Sequence, residues 1–214
     1  MSNQVNIPVL TFSLALIAGI AAALLGGVYL VTEAPIRSAL QEKTNAALRD
    51  VLPAFDNQPG EEAVVVDDVT FYIARTGGEI SGFAGETITP KGYNGNITVL
   101  TGLLPDGTIT TVLVTQQAET PGLGTAVAER KREKTLSGLL SGKKETGLPP
   151  NGVLDQFSDK KIVAGQSPWK VKKDGGTIDA ITGATITSRA IAGAVYTIAE
   201  TFAQNSEQLL KENR

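Results

Sequence analysis

The segment NITVLTGLLPDGTITTVLVTQ, residues 96–116, gives the clearest indication of the fold class. It contains two apolar, threonine-rich runs separated by the turn sequence PDG at 105–107, a pattern that is typical of a β-hairpin. Two similar runs precede it, VTFYIAR at 69–75 and ISGFAGETI at 80–88, and glycines separate the first from the second. The sequence therefore predicts an antiparallel sheet between residues 64 and 117.

Further elements are predicted after this sheet. A charged stretch that follows the loop ETPGLG, residues 119–124, is predicted to be helical through Leu140, and residues 169–172 are predicted to form one more strand. The polar segment 207–214 is predicted to be a frayed tail. Before this tail a final helix is predicted to pack one face on the sheet, because apolar residues recur there at helical spacing: Ala190, Ile191, Ala194, Val195, Ile198 and Phe202.

The amino-terminal segment has the composition of a membrane anchor. Residues 1–32 carry no charged side chain, and the run from Val9 to Val31 is apolar. As a helix, this run is long enough to cross the hydrocarbon core of a bilayer, which is about 30 Å thick. A cleaved signal peptide would have a basic residue before a shorter apolar run. We therefore predict a single transmembrane helix within residues 1–32.

A second, amphipathic helix is predicted at residues 33–53, where Pro53 would end it. It would act as a stalk between the anchor and a globular domain at residues 54–206, with a purely packing role as the alternative. The evidence is a set of apolar residues at helical spacing with charged residues elsewhere around the helix: Ile36, Leu40, Leu48 and Val51.

Composition excludes several classes of function. The chain has 214 residues, a net charge of −3, and neither cysteine nor histidine. Without a clustered basic face, nucleic acid is not a predicted partner. Disulfides, iron–sulfur clusters held by thiolates, typical zinc sites and histidine-based acid–base catalysis are excluded as well. No metal site and no catalytic residue are predicted, and any redox cofactor must be organic.

The segment DAITGATITS, residues 179–188, comes directly before the final predicted helix. The amino end of a helix exposes unpaired N–H groups and the positive end of its dipole, so it attracts phosphate. Gly183 and Ala184 leave room for a bulky anion, and the Thr185 hydroxyl could contact it or be bonded to it. The alternative is a simple helix cap, since serine and threonine are good caps.

The pattern Asp-x-x-(Ser/Thr)-Gly-Ala-Thr is matched by Asp179, Thr182, Gly183, Ala184 and Thr185. It resembles the flavinylation signature of the FMN-binding domain family, in which a flavin transferase joins FMN through its phosphate to the final threonine. The resemblance implies a covalent phosphoester between FMN and Thr185. It also implies that Gly183, Ala184 and the helix end neutralise the phosphate, and that Asp179 belongs to what the transferase recognises.

Other segments agree with this resemblance, namely GYNGNI at 92–97, ETPGLG at 119–124 and WKVKKDGG at 169–176. The second is similar to the family's loop near the flavin, which places Glu119 in the cofactor site and implies that Thr120 and Leu123 line the isoalloxazine ring. Lys170 is a candidate contact to the ring or the phosphate, with an exposed, solvated charge as its alternative.

Taken whole, the chain is similar to the G subunits of Rnf-type complexes, which are ion-translocating ferredoxin:NAD⁺ oxidoreductases. The implied fold is α+β, a single transmembrane helix followed by an antiparallel-sheet FMN-binding domain with flanking helices. The implied function is electron transfer within a translocase of several membrane and peripheral subunits. Two alternatives are the C subunit of a sodium-pumping NADH:quinone oxidoreductase and a membrane-anchored adaptor without a cofactor.

Two arguments about orientation conflict. No lysine or arginine precedes the anchor, whereas Arg37, Lys43 and Arg49 follow it, so the positive-inside rule puts the domain in the cytoplasm. The resemblance implies the periplasmic side of the inner membrane, where the transferase acts. We expect the periplasmic side, because large domains translocate largely regardless of their charge.

Overall fold

A computed structural model describes residues 7–130, 147–163 and 165–211. The chain divides into two compact units, residues 1–43 and 44–214. It contains a long apolar amino-terminal helix, a five-stranded antiparallel sheet and flanking helices, which confirms the predicted α+β fold class. The predicted division into anchor, stalk, domain and tail stays a prediction.

The amino-terminal helix, α1, runs from Ile7 to Val51. Its side chains are exposed through Val31, and among the described residues it is the only helix long and apolar enough to cross a membrane. The structure thus has one helix where the sequence predicted an anchor and a separate stalk. Pro35 lies inside it; a proline there removes one backbone hydrogen bond and kinks a helix without having to end it.

The sheet is a meander in which each strand pairs with the next one along the chain. The predicted hairpin is confirmed: Gly107 adopts φ +88°, and the Leu104 N–H donates to the Thr108 carbonyl at 2.8 Å. Asp106 fixes the turn by accepting hydrogen bonds from the Thr108 N–H and hydroxyl, each at 2.9 Å. The strands are β1 (Ala63–Val66), β2 (Val69–Thr76), β3 (Glu79–Thr89), β4 (Ile97–Leu103) and β5 (Ile109–Gln116).

One face of the sheet is covered by the final helix, which spans Thr185–Lys211. We call it α3, after the short helix α2 at Gly124–Ala128. The Phe202 ring lies 6.0 Å from the Phe71 ring and 5.1 Å from the Phe83 ring, centroid to centroid. On β3, a side chain at Gly85 would collide with Ile198, so this glycine lets the helix approach the sheet.

The opposite face is covered by the last turn of α1. Leu48 and Val51 are buried there against residues of three strands, among them Leu100 of β4. The Thr110 hydroxyl donates to the Val51 carbonyl at 2.9 Å, and a side chain at Gly102 would collide with that same carbonyl. Because helices cover both faces, all seven residues of β4 are buried, which explains its nearly continuous apolar sequence.

In the carboxyl-terminal half, the structure differs from two predictions and describes only part of a third predicted element. Residues 169–172 do not form a strand; Val171 makes one isolated bridge to Ile178, and the chain then enters a 3₁₀ turn at Lys172–Asp174. The predicted frayed tail is helical through Lys211, because Leu209 is buried in the core. Of the helix predicted through Leu140, the part from 131 to 140 lies outside the described residues.

Replacing Phe202 with alanine should lower the free energy of unfolding by about 3–5 kcal/mol, because it empties the space between two buried rings. Denaturant unfolding of the full chain in detergent can be followed by the fluorescence of Trp169, the only tryptophan, which contacts Phe157 at 5.7 Å between ring centroids. Phe12→Ala is the control, since that ring is 72% exposed in α1. Equal unfolding midpoints for the two variants would contradict this account of the core.

Candidate functional site

The turn that precedes α3 requires a glycine. The Ala184 N–H donates to the Ile181 carbonyl at 2.9 Å and closes a β-turn, and Gly183, its third residue, has φ +85°. This is the position at which type II turns need a residue with positive φ. A Cβ atom at Gly183 would also lie 3.2 Å from Leu123 Cδ2. The Gly-Ala pair is therefore explained by backbone geometry and by close packing.

The hydroxyl side chains of DAITGATITS do not cap the helix. The residue before the first helical position is Ala184, which has no oxygen in its side chain to accept a hydrogen bond. The Ser188 hydroxyl donates to the Ala184 carbonyl at 3.0 Å, and the Thr187 hydroxyl donates to Glu119 Oε2. Thr182 lies exposed on the turn. The interpretation as a capping cluster is thus wrong.

The first turn of α3 keeps its backbone donors free. The first N–H group of α3 that has a backbone acceptor is that of Ser188, which donates to the Ala184 carbonyl at 3.0 Å. In the part of the chain that the structure describes, no acceptor is found for the N–H groups of Thr185, Ile186 and Thr187, nor any partner for the half-buried Thr185 hydroxyl. This end of the helix therefore has the donors and the positive dipole that bind anions.

These donors border an open cleft of about 380 Å³, a size typical of small-molecule sites. Its rim is apolar, with Tyr93 68% exposed and Leu123 and Ile186 each 45% exposed. The lining consists of Tyr93, Glu119, Thr120, Leu123, Gly124, Lys173, Gly183, Ala184, Thr185, Ile186 and Thr187.

A buried carboxylate joins the segments that form the cleft. Glu119 is 4% exposed; its Oε1 accepts a hydrogen bond from the Asn94 N–H at 3.0 Å, and its Oε2 accepts one from the Thr187 hydroxyl. Glycines surround it, because a Cβ atom at Gly92 would lie 2.8 Å from Oε1 and one at Gly124 would lie 2.5 Å from Oε2. Glu119 thereby holds the loop of Tyr93, the ETPGLG segment and the first turn of α3 together.

Six of the nine residues predicted for the cofactor site line this cleft: Thr185, Gly183, Ala184, Thr120, Leu123 and Glu119. Thr182, Asp179 and Lys170 are exposed and are not part of its lining. The Asp179 carboxylate pairs with Lys172 at 2.7 Å, and its N–H donates to Gln156 Oε1 at 2.7 Å. Asp179 therefore stabilises the loop outside the cleft.

Sequence reasoning missed five residues of the lining: Tyr93, Gly124, Lys173, Ile186 and Thr187. Each of them lies inside or beside a segment that the sequence analysis assigned to the cofactor site. The sequence thus indicated the right segments without indicating these residues. Which side chain of such a segment enters the cleft depends on the loop conformation. The presence of Lys173 rather than Lys170 in the lining is an example, because the chain turns at Gly175, which has φ +80°.

An ion pair ties the loop of Lys173 to α3. Arg189 Nε lies 2.5 Å from Asp174 Oδ2, and Arg189 Nη2 lies 2.6 Å from Asp174 Oδ1. The hydrogen bonds from Arg189 hold the pKa of Asp174 below its ordinary value, so the carboxylate stays ionised to a lower pH than an unpaired aspartate would. Arg189 is one helical turn beyond Thr185, so the pair fixes the loop beside the free end of the helix.

The profile of the FMN-binding domain family matches residues 92–200. This interval contains every residue that lines the cleft. The chain belongs to the FMN-binding domain family. The predicted resemblance is thereby confirmed for the domain that holds the cleft.

Similarity to relatives extends beyond this domain. The G subunit of the ion-translocating oxidoreductase complex of Pasteurella multocida is 35% identical over 193 residues, 85% of this chain and 86% of its own. The corresponding G subunit of Vibrio atlanticus is 34% identical over 93% of this chain and 91% of its own length. That of Vibrio cholerae is 32% identical over 92% and 90%. These relatives confirm the predicted resemblance to the G subunits.

Glu119→Ala should lower the free energy of unfolding by at least about 2 kcal/mol, because two donors lose their acceptor at a cost of about 1–3 kcal/mol each. Glu119→Gln should retain most of the stability, since its amide oxygen can accept from Asn94 and its amide nitrogen can donate to the Thr187 hydroxyl. Denaturant unfolding followed by Trp169 fluorescence measures both. Equal losses in the two variants would show that the hydrogen bonds are not what the carboxylate contributes.

Proposed function

We propose that this protein is a membrane-anchored electron-transfer subunit that carries FMN on Thr185 through a phosphoester. The main support is the Thr185 hydroxyl, which has no hydrogen-bond partner among the described residues. It lies at the amino end of α3, in the cleft of an FMN-binding domain. A phosphate joined to this oxygen would lie beside the three free N–H groups, which are suited to bind it.

The residues of the cleft fit the two ends of FMN. The free N–H groups of α3 and the cation of Lys173 suit the phosphate, whereas the exposed apolar side chains of Tyr93 and Leu123 suit a flat ring. Thr120 adds a polar group to the same lining. When bound, FMN supplies the redox chemistry that the side chains of this chain lack.

A covalent link suits an open cleft. Noncovalent binding sites bury most of the ligand surface, whereas a ligand in this open cleft would keep one side towards solvent. A phosphoester removes dissociation as a route of loss. The walls can then leave part of the flavin accessible to a redox partner.

In this proposal the exposed residues of the signature, Asp179 and Thr182, serve the attachment of the flavin. Asp179 and Thr182 lie outside the cleft, so they are accessible to another protein while Thr185 is being modified. We assign them to recognition by a flavin transferase, which forms the phosphoester. The ion pair between Asp179 and Lys172 would present the carboxylate in a fixed position.

The complex we propose is of the Rnf type, in which electron transfer between ferredoxin and NAD⁺ is coupled to ion translocation. Support comes from the similarity to the G subunits of ion-translocating oxidoreductase complexes over most of the chain. These relatives favour this complex over the sodium-pumping NADH:quinone oxidoreductase. Membership of an FMN-binding family argues against an adaptor without a cofactor. Other membrane and peripheral subunits would be the partners of α1 and of the flavin domain.

We further propose that the domain lies on the periplasmic side of the inner membrane, with α1 as a single-pass anchor. A helix of this length and composition fits one crossing. The basic residues that follow the apolar part of α1, Arg37, Lys43 and Arg49, oppose this orientation, but the partner helices of a complex can set the topology of a short anchor.

Thr185→Val should give a folded protein without covalent flavin, because valine keeps the shape of the side chain and lacks the oxygen. The full chain is expressed together with a flavin transferase, and its intact mass and in-gel flavin fluorescence are measured. The wild type should weigh more than its amino acids by the mass of FMN less one water. Thr185→Ser should keep flavin, and Thr177→Val, at a threonine outside the signature, should match the wild type. Fluorescence retained by the valine variant of Thr185 would refute the attachment site.

Protease added to intact spheroplasts should cleave the domain at residues 54–206 and leave the anchor in the membrane. The expected result is loss of the flavin-bearing fragment from the membrane pellet, while a cytoplasmic marker protein stays intact. Inside-out vesicles provide the reverse control. Protection of the domain in spheroplasts would place it in the cytoplasm instead.

A further inference from the structure

We propose that Lys173 supplies the counter-charge for the phosphodiester of the flavin site and that Asp174 and Arg189 position it. This inference rests on the proposed function and adds to it the residue that balances the anion. The segment 170–173 contains three lysines, of which Lys173 alone is part of the described lining of the cleft. Lys170 is exposed outside it, and Lys172 pairs with Asp179 at 2.7 Å.

Lys170 and Lys173 form no ion pair within the described residues, and of these two lysines only Lys173 borders the cleft. Both charged neighbours of Lys173 along the chain are paired. Asp174 forms an ion pair with Arg189, and Lys172 forms one with Asp179. Within the described residues, Lys173 makes neither an ion pair nor a hydrogen bond through its side chain. A lysine in that state beside free N–H groups has the composition of an anion site.

The loop that carries Lys173 is fixed at both ends. The Ile178 N–H donates to the Lys170 carbonyl at 3.1 Å, and the Lys172 N–H donates to the Ile178 carbonyl at 2.8 Å. Gly176 permits this closure, because a side chain there would collide with the backbone of Lys170. The bidentate contact with Arg189 then holds the loop against α3, one turn from Thr185. Together these contacts keep the Lys173 side chain at the cleft.

Electrostatics favour a full charge at this place. A phosphodiester carries one negative charge, and the end of a helix contributes the equivalent of only about half a positive charge. A lysine adds a whole charge on a flexible stem. A cation in this cleft would also favour the more negatively charged, reduced state of a flavin bound there, so it should raise the reduction potential.

Lys173→Gln and Lys170→Gln form a matched pair, since each removes one positive charge from the same loop and only Lys173 borders the cleft. Both full-length variants are produced with the flavin transferase, and the flavin-to-protein ratio and the midpoint potential are measured. We expect the potential of Lys173→Gln to be more negative than that of the wild type, with a lower flavin-to-protein ratio. Lys170→Gln should match the wild type in both. Lys173→Arg keeps the positive charge and should have the wild-type potential. If the shift in Lys173→Gln came from damage to the structure, arginine at this position would not be expected to avoid it.

Arg189→Gln tests the positioning role. Alone it should shift the potential in the same direction as Lys173→Gln, and in the double variant it should add nothing, because it acts through Lys173. Additive shifts would overturn the positioning role of Arg189. Equal midpoint potentials for Lys173→Gln and Lys170→Gln, both with flavin bound, would overturn the role of Lys173. A wild-type protein without covalent flavin would instead overturn the proposed function, so the two failures are distinguishable.

Discussion

The packing of α3 against the sheet fixes the geometry of the cleft. Phe202 and Ile198 fix the helix against β2 and β3. Because a helix is rigid over its length, this packing also fixes its first turn, where the N–H groups of Thr185 and its neighbours remain free. The energy that builds the core thus also preorganises the anion-binding end, and no additional ordering is needed when a phosphate binds there.

Glu119 extends this order from the helix to the loops. A buried carboxylate is stable only when its oxygens receive hydrogen bonds, and here a backbone N–H of the loop at residues 92–96 and the hydroxyl of Thr187 provide them. The cost of burying the charge makes the arrangement specific, because separating the segments would leave the carboxylate unpaired. The cleft therefore has fixed walls although most of its lining comes from loops.

Local patterns in the sequence were sufficient for much of the fold. The hairpin around residues 105–107, the strands β2–β5 and the apolar anchor follow from spacing over a few residues. The continuity of α1 through Pro35 does not, since a proline can end a helix or merely kink it. Nor could the sequence distinguish Lys173 from Lys170, because a loop held by Arg189 decides which of them reaches the cleft. The role of Glu119 depends on Asn94 and Thr187, which are distant along the chain.

In the proposed function, the tasks of a carrier are divided between separate parts of the chain. The phosphoester at Thr185 would retain the flavin, and α1 would retain the protein at the membrane. Neither task then falls on the walls of the cleft, so these need not enclose the ring. The open shape of the cleft agrees with this division. A protein that had to bind its flavin by contact area alone would be expected to enclose it, and an electron partner would then have a longer path to the ring.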